Sequence, residues 1–177
     1  MSKNNLKNQN SSIKMKKFLL SVALVTLFST WAYSQNLGEI TLKDINGNNV
    51  SLSKYTNSGK IVIFSFWATW CSPCKKELSN ISELYEDWKS DYNIEVVAIN
   101  IDDSRNQAKV KPYIDGQGWE FPVLLDPNEQ LKRTLNFQTV PYTFVLGKDG
   151  KVIYQHSGYV EGDEYELEDK LEKWTSK

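Results

Sequence analysis

The sequence predicts an α/β sandwich: a mixed central sheet, mainly parallel in its first half, with helices on both faces and an antiparallel hairpin at the end. Three observations predict it. The run Ile61-Val62-Ile63-Phe64-Ser65-Phe66, a segment apolar at Leu78, Ile81, Leu84, Tyr85 and Trp88, and the run 94–99 read as strand, helix, strand, which implies parallel pairing through a right-handed crossover. A strand opened by a proline, 140–146, passes through Gly147-Lys148-Asp149-Gly150 into Lys151-Val152-Ile153-Tyr154, a hairpin broken at Gly158. The acidic segment 161–173, apolar at Tyr165, Leu167 and Leu171, reads as a terminal helix.

The chain opens differently. Residues 1–14 are polar; then Lys14, Lys16 and Lys17 precede the apolar run 18–28, and Ala32-Tyr33-Ser34 places small residues where a signal peptidase cuts. Residues 1–34 are therefore expected to be a secretory signal peptide with a polar extension, Met15 being an alternative start, and 35–177 a single domain. As a helix, residues 18–32 would span about 22 Å, short of the ~30 Å hydrocarbon core, so a membrane tether is expected only if the signal is uncleaved. No cysteine lies in the signal region, which excludes a lipoprotein anchor. Removing residues 1–34 takes away five lysines and no acid, so the formal charge moves from −1 to −6. An acidic domain argues against nucleic acid as a partner.

In the mature part, Ile40-Thr41-Leu42-Lys43 and Val50-Ser51-Leu52 read as a hairpin, with Asn46-Gly47 supplying positive φ. Ser58-Gly59-Lys60 turns the chain into the central strand 61–67. A helix follows from about Pro73 to Ser90, and Asn93 breaks it. A second helix is expected over 103–113, capped by Asp102 or Asp103 and ended by Asp115-Gly116-Gln117-Gly118. Residues 121–125 form a short strand whose Pro122 suits an edge or a strand start. Asp126-Pro127 opens a short helix through Leu135, with Pro127 near its first turn.

Both cysteines lie in Trp67-Ala68-Thr69-Trp70-Cys71-Ser72-Pro73-Cys74, at the junction of the central strand and its helix. A C-x-x-C there is the signature of a dithiol redox site. On a first helical turn the two sulfurs share a face and can close a short disulfide. Unpaired amides and the helix dipole favour negative charge at the first cysteine. An ordinary thiol, with pKa near ~8.5, is only about 3% ionised at pH 7, whereas one shifted to ~7 is about half ionised. Cys71 is therefore assigned as nucleophile and Cys74, one turn deeper, as resolving thiol. A zinc site would need two further Cys or His ligands, and the chain has no other cysteine and one histidine, His156, which reads as a strand or surface residue. A purely structural bridge three residues apart closes almost no loop and stabilises little. No metal or cofactor beyond the Cys71–Cys74 pair is expected.

These residues also carry a resemblance. Residues 66–77, Phe-Trp-Ala-Thr-Trp-Cys-Ser-Pro-Cys-Lys-Lys-Glu, resemble the active site of the thioredoxin superfamily, and more narrowly its exported TlpA/ResA-type thiol–disulfide reductases. Asp44-Ile45-Asn46-Gly47, Phe121-Pro122, Val140-Pro141 and 148–151 fall in the expected order. The resemblance implies a thioredoxin-like three-layer sandwich, with the hairpin at its N-terminus and a helix–strand insertion before a cis-proline, Pro141. It implies that the Val140 backbone pairs with an extended substrate segment, and that Trp70, Pro73, Val140 and Pro141 form an apolar collar for partners. Trp67 is expected in the core, and Lys75 and Lys76 in solvent. Glu77 matches the acid of C-x-x-C-x-x-E and is expected to exchange protons with Cys74 from a partly apolar pocket. Ser65 stands where thioredoxins carry a buried Asp, which shifts proton handling to Glu77 or water.

The expected function is a cell-envelope or periplasmic thiol–disulfide oxidoreductase that reduces partner disulfides, in cytochrome c maturation or envelope redox homeostasis. Its partners would be disulfide-bearing envelope proteins and a membrane or envelope thiol donor. Three alternatives differ in class. An oxidising dithiol donor differs only in potential, which Ser72-Pro73 does not settle. A thiol peroxidase would need Thr or Ser three residues before the reactive cysteine, where this chain has Ala68. A non-catalytic thioredoxin-like binding module would not turn over a simple disulfide such as insulin.

Overall fold

The computed structural model describes residues 37–176; the expected signal peptide and its boundary lie outside them. After one turn of 3₁₀ helix at Leu37–Glu39, β1 (Thr41–Asp44) pairs antiparallel with β2 (Asn49–Ser51). The turn is built differently from the expectation. Gly47 alone takes positive φ (84°), and the Asp44 carboxylate accepts from the Asn46 and Asn48 amides at 2.8 and 2.9 Å. The short side chain thus folds the loop that a two-residue Asn-Gly turn would otherwise make.

A short helix α1 (Ser53–Thr56) leads into β3 (Ile61–Trp67), whose residues are all buried. The 21-residue α2 (Ser72–Tyr92) follows and ends on Asn93 in the left-handed conformation, φ 51°. Then β4 (Ile94–Asn100) pairs parallel with β3 over its full length, Ile61 opposite Ile94. The second helix departs from the sequence reading: α3 spans Val110–Gln117, preceded by 3₁₀ turns and closed by Gly118. Pro112 explains the late start. It has no N–H to donate, so it fits the first turn of a helix but not the interior of one running from 103.

Strand β5 (Val123–Leu125) begins after Pro122 and lies between β4 and β1, so the proline marks a strand start rather than a sheet edge. The helix expected from Asp126 begins at Gln130, as α4 (Gln130–Thr134). The Asp126 carboxylate accepts from the Gln130, Leu131 and Lys132 amides at 2.6, 2.9 and 3.0 Å, holding the helix start at arm's length from Pro127. The hairpin of β6 (Tyr142–Leu146) and β7 (Val152–Ser157) closes the sheet, which runs β2-β1-β5-β4-β3-β6-β7. Gly150 is required in that hairpin: φ is 74° and a Cβ would collide with the Thr56 carbonyl. Terminal helix α5 (Asp163–Thr175) buries Glu164, Leu167 and Leu171, while Tyr165, expected to face inward, is 60% exposed. Positions 164, 167 and 171 follow helical spacing, and 165 falls one step off that stripe.

Strand alternation assigns the layers. Ser65 and Trp67 face α2; Trp67 meets Tyr113 of α3 and Trp119 at ring distances of 5.7 and 5.1 Å. Helix α5 packs on α2. On the opposite face Phe64 meets Tyr55 of α1, and Phe66 meets Phe137 just after α4. A sheet covered on both sides explains the near-continuous apolar strands at its centre.

Candidate active site

β3 ends at Trp67, and the Cys71 amide donates to the Ala68 carbonyl at 3.0 Å, which turns the chain into α2. Cys71 is the N-cap of that helix, in extended conformation, and its sulfur accepts from the Cys74 amide at 3.3 Å. Pro73 sits in the first turn, where an N–H would have no helical partner. Cys71 and Cys74 are joined as a disulfide with Cα atoms 5.4 Å apart. Cys71 is 5% exposed and Cys74 is 0% exposed. An incoming reagent therefore meets the first sulfur, and the second lies behind it.

The residues expected to form a collar share this end of the sheet. Trp70 is 66% exposed, the largest apolar side chain beside the dithiol, and Pro73 is also exposed. Val140 is half-buried and Pro141 buried, joined by a cis peptide bond. The antiparallel register sets Phe66 opposite Tyr142, so Pro141 enters β6 beside the point where the chain leaves β3 for Cys71.

Beneath the sulfurs lies Glu77, 5% exposed and one turn beyond Cys74. Thr143 Oγ1 donates to its Oε1 at 2.8 Å and Ser65 Oγ to its Oε2 at 3.4 Å. Burial pushes this carboxyl up to about 7, although both hydroxyls favour the anion; the Asp163 and Glu164 carboxylates add to the rise. A group with that affinity can take or release a proton at neutral pH. Ser65 thus acts as a donor to the acid on α2.

A second network fixes the loop before Cys71. Asp102, 0% exposed, accepts from the Thr69 amide at 2.8 Å, the Thr69 hydroxyl at 2.9 Å and Asn100 Nδ2 at 2.7 Å. Of the two cap candidates, Asp103 accepts from the Arg105 and Asn106 amides of the turn ahead of α3, each at 3.1 Å, whereas the Asp102 carboxylate ties the end of β4 to the active-site loop. Asp102→Ala leaves the Thr69 and Asn100 donors without their acceptor and is expected to cost about 3 kcal/mol. Urea unfolding checks the loss, and Asp102→Asn, which keeps an acceptor oxygen, should recover part of it.

Lys75 also departs from expectation: it is half-buried, with Nζ 5.4 Å from the Tyr113 ring centroid, so it stacks rather than standing in solvent. Lys76 is exposed, 3.7 Å from Glu161. His156 lies on β7 as expected, with Nε2 3.1 Å from Asp163 Oδ2. Thr143 and Asp102 were missed as site residues. A signal existed for Thr143: polar residues in otherwise apolar, buried strands require a partner, and Ser65 and Thr143 are paired across β3 and β6.

Comparison with known proteins agrees with this geometry. Residues 34–155 match the model of the AhpC/TSA family. A thiol-disulfide oxidoreductase ResA from Bacillus thuringiensis (strain Al Hakam) is 34% identical over 132 residues, 75% of this chain and 72% of that protein. The solution structure of a thioredoxin-like protein from Porphyromonas gingivalis superimposes with a TM-score of 0.69 at 42% identity, covering 80% of this chain and 93% of that one. The crystal structure of StoA from Bacillus subtilis gives 0.60 at 30% identity, covering 77% and 95%.

Proposed function

The chain belongs to the AhpC/TSA family and, within it, to the thiol–disulfide oxidoreductases of the ResA type, and from that premise we propose that it reduces disulfides of exported proteins in the cell envelope. The observation that carries the reading is the order along one end of α2: Cys71 outermost, Cys74 fully buried, Glu77 beneath. The Cys71 thiolate attacks a partner disulfide, forming a mixed disulfide and releasing one partner sulfur, which takes a proton. Cys74 then passes its proton to the Glu77 carboxylate as its sulfur bonds to Cys71, displacing the second partner sulfur. Two electrons move from the dithiol to the partner. Trp70, Pro73, Val140 and Pro141 supply the apolar surface on which the partner rests, its extended backbone lying along Val140.

The Lys-flanked apolar run before residue 35 supports export to the periplasm or envelope, where a thiol donor would restore the dithiol. Cytochrome c maturation is the pathway this reading favours. A peroxidase is disfavoured because Ala68 offers no hydroxyl and that of Thr69 is committed to Asp102.

The midpoint potential tests the direction. A reductase is expected below about −220 mV; a value near −120 mV would make the chain an oxidant. Failure to reduce insulin at all would favour a binding module.

A further inference from the structure

Glu77 has two ways to solvent. At one end stand the sulfurs, with Cys74 fully buried. At the other is a small cavity of about 20 Å³, room for about one water, partly open to solvent; Glu77, Thr143, His156 and Asp163 border it, and Ile81 and Leu167 complete its wall. We infer that Glu77 exchanges its proton with solvent through this cavity by way of the His156–Asp163 pair, rather than past the sulfurs. The inference rests on the reading of Glu77 as the acceptor for Cys74.

The sheet register builds the route. Ser65, Thr143 and His156 stand opposite one another on β3, β6 and β7, so all three side chains point to the face that carries α2. Thr143 binds Glu77, and His156, next in the row, binds Asp163 at the start of α5. The side chains of His156 and Asp163 are 38% and 26% exposed, so the pair joins the cavity to water. In the tautomer that donates Nε2–H to Asp163, Nδ1 is an acceptor.

The other ionisable groups of the lining are less suited. Tyr159 donates to Glu164 at 2.8 Å and accepts from Asn80 at 2.6 Å; burial, with the Glu164 carboxylate beside it, pushes its hydroxyl far above neutrality. Glu164 also accepts from Asn80 and from the Gly162 amide, at 2.9 and 3.0 Å. Burial raises the Tyr154 hydroxyl. Glu166 lies exposed at the rim.

In the resolving step the proton leaves Cys74 for Glu77 while the sulfur bonds to Cys71. Glu77 passes it through one bridging water, for which the cavity has room and Glu77, Thr143 and His156 offer polar partners, to His156 Nδ1, and the imidazolium yields a proton to solvent. No electron crosses the cavity.

The test follows oxidation of the reduced, purified chain by oxidised glutathione in a stopped-flow instrument, using tryptophan fluorescence. In His156→Gln the resolving step is expected to slow about tenfold, to slow further in deuterated water, and to recover when free imidazole is added, with the midpoint potential unchanged. Asp163→Asn should slow it less. Glu77→Gln should slow it without recovery by imidazole. A His156→Gln rate at the wild-type level, or a lowered rate indifferent to imidazole, overturns the relay while leaving Glu77 as acceptor. A Glu77→Gln chain that resolves at the wild-type rate overturns the Glu77 reading and the relay with it.

Discussion

Replacing Cys74 with Ser is expected to stop turnover and to leave partners covalently attached through Cys71, whereas Cys71→Ser should stop turnover and capture none. The asymmetry comes from where the sulfurs lie. Cys71 caps α2 and is the one with measurable exposure, at 5%, while Cys74 has none. When Cys71 attacks, its own sulfur becomes half of the mixed disulfide, and only a thiol already in contact can release the partner quickly. Serine at 74 keeps the shape but cannot form that bond, so the intermediate persists. Non-reducing electrophoresis after incubation with an envelope extract, followed by identification of the captured proteins, reads the outcome and names the clients. Equal capture by both variants would show that the division of roles is wrong.

Glu77→Gln should make the oxidised protein more resistant to unfolding above pH 7, with little change at pH 4. The buried carboxyl is pushed up from 4.5 to about 7, so between those values the folded state binds a proton that the unfolded state has released. Wild-type stability therefore falls as pH rises through this window and stays lower above it, by about 3 kcal/mol. Glutamine remains neutral throughout, can accept from Thr143 and can donate to Ser65, so the penalty disappears. At pH 8 the variant should melt about 10 °C higher than the wild type, and near pH 4 the two should coincide. Parallel melting curves at both pH values would mean that Glu77 is ionised at little cost in the folded chain. A stabilising substitution at this position would mark the acid as kept for chemistry rather than for folding.

The legible parts of the fold are those written contiguously. β3 occupies residues 61–67 as its apolar run indicates, and the parallel partner at 94–100 follows from one intervening helix. The helix starts expected near 103 and 126 both fall later in the chain, the first because Pro112 suits only a first helical turn, and at each an acidic side chain had marked the earlier position. Asp126 does feed a helix start, though from four residues away, while Asp102 reaches across to Thr69. An aspartate before a helical pattern looks the same in either case.

What the sequence determined alone is the dithiol and its place at the start of a helix. Two cysteines at helical spacing, a proline that tolerates the first turn, and an apolar strand ahead of them form a unit whose geometry is local, set by backbone dihedrals within eight residues. The tertiary structure decided which polar groups surround that unit and hold it in place. Glu77 meets Ser65 and Thr143, 12 and 66 residues distant, and Thr69 meets Asp102 at a distance of 33. Periodicity states which face of a strand or helix turns inward; it does not state which inward-facing polar groups will coincide. That depends on strand order and register, and in a buried layer each polar group must find its partner there or remain unpaired.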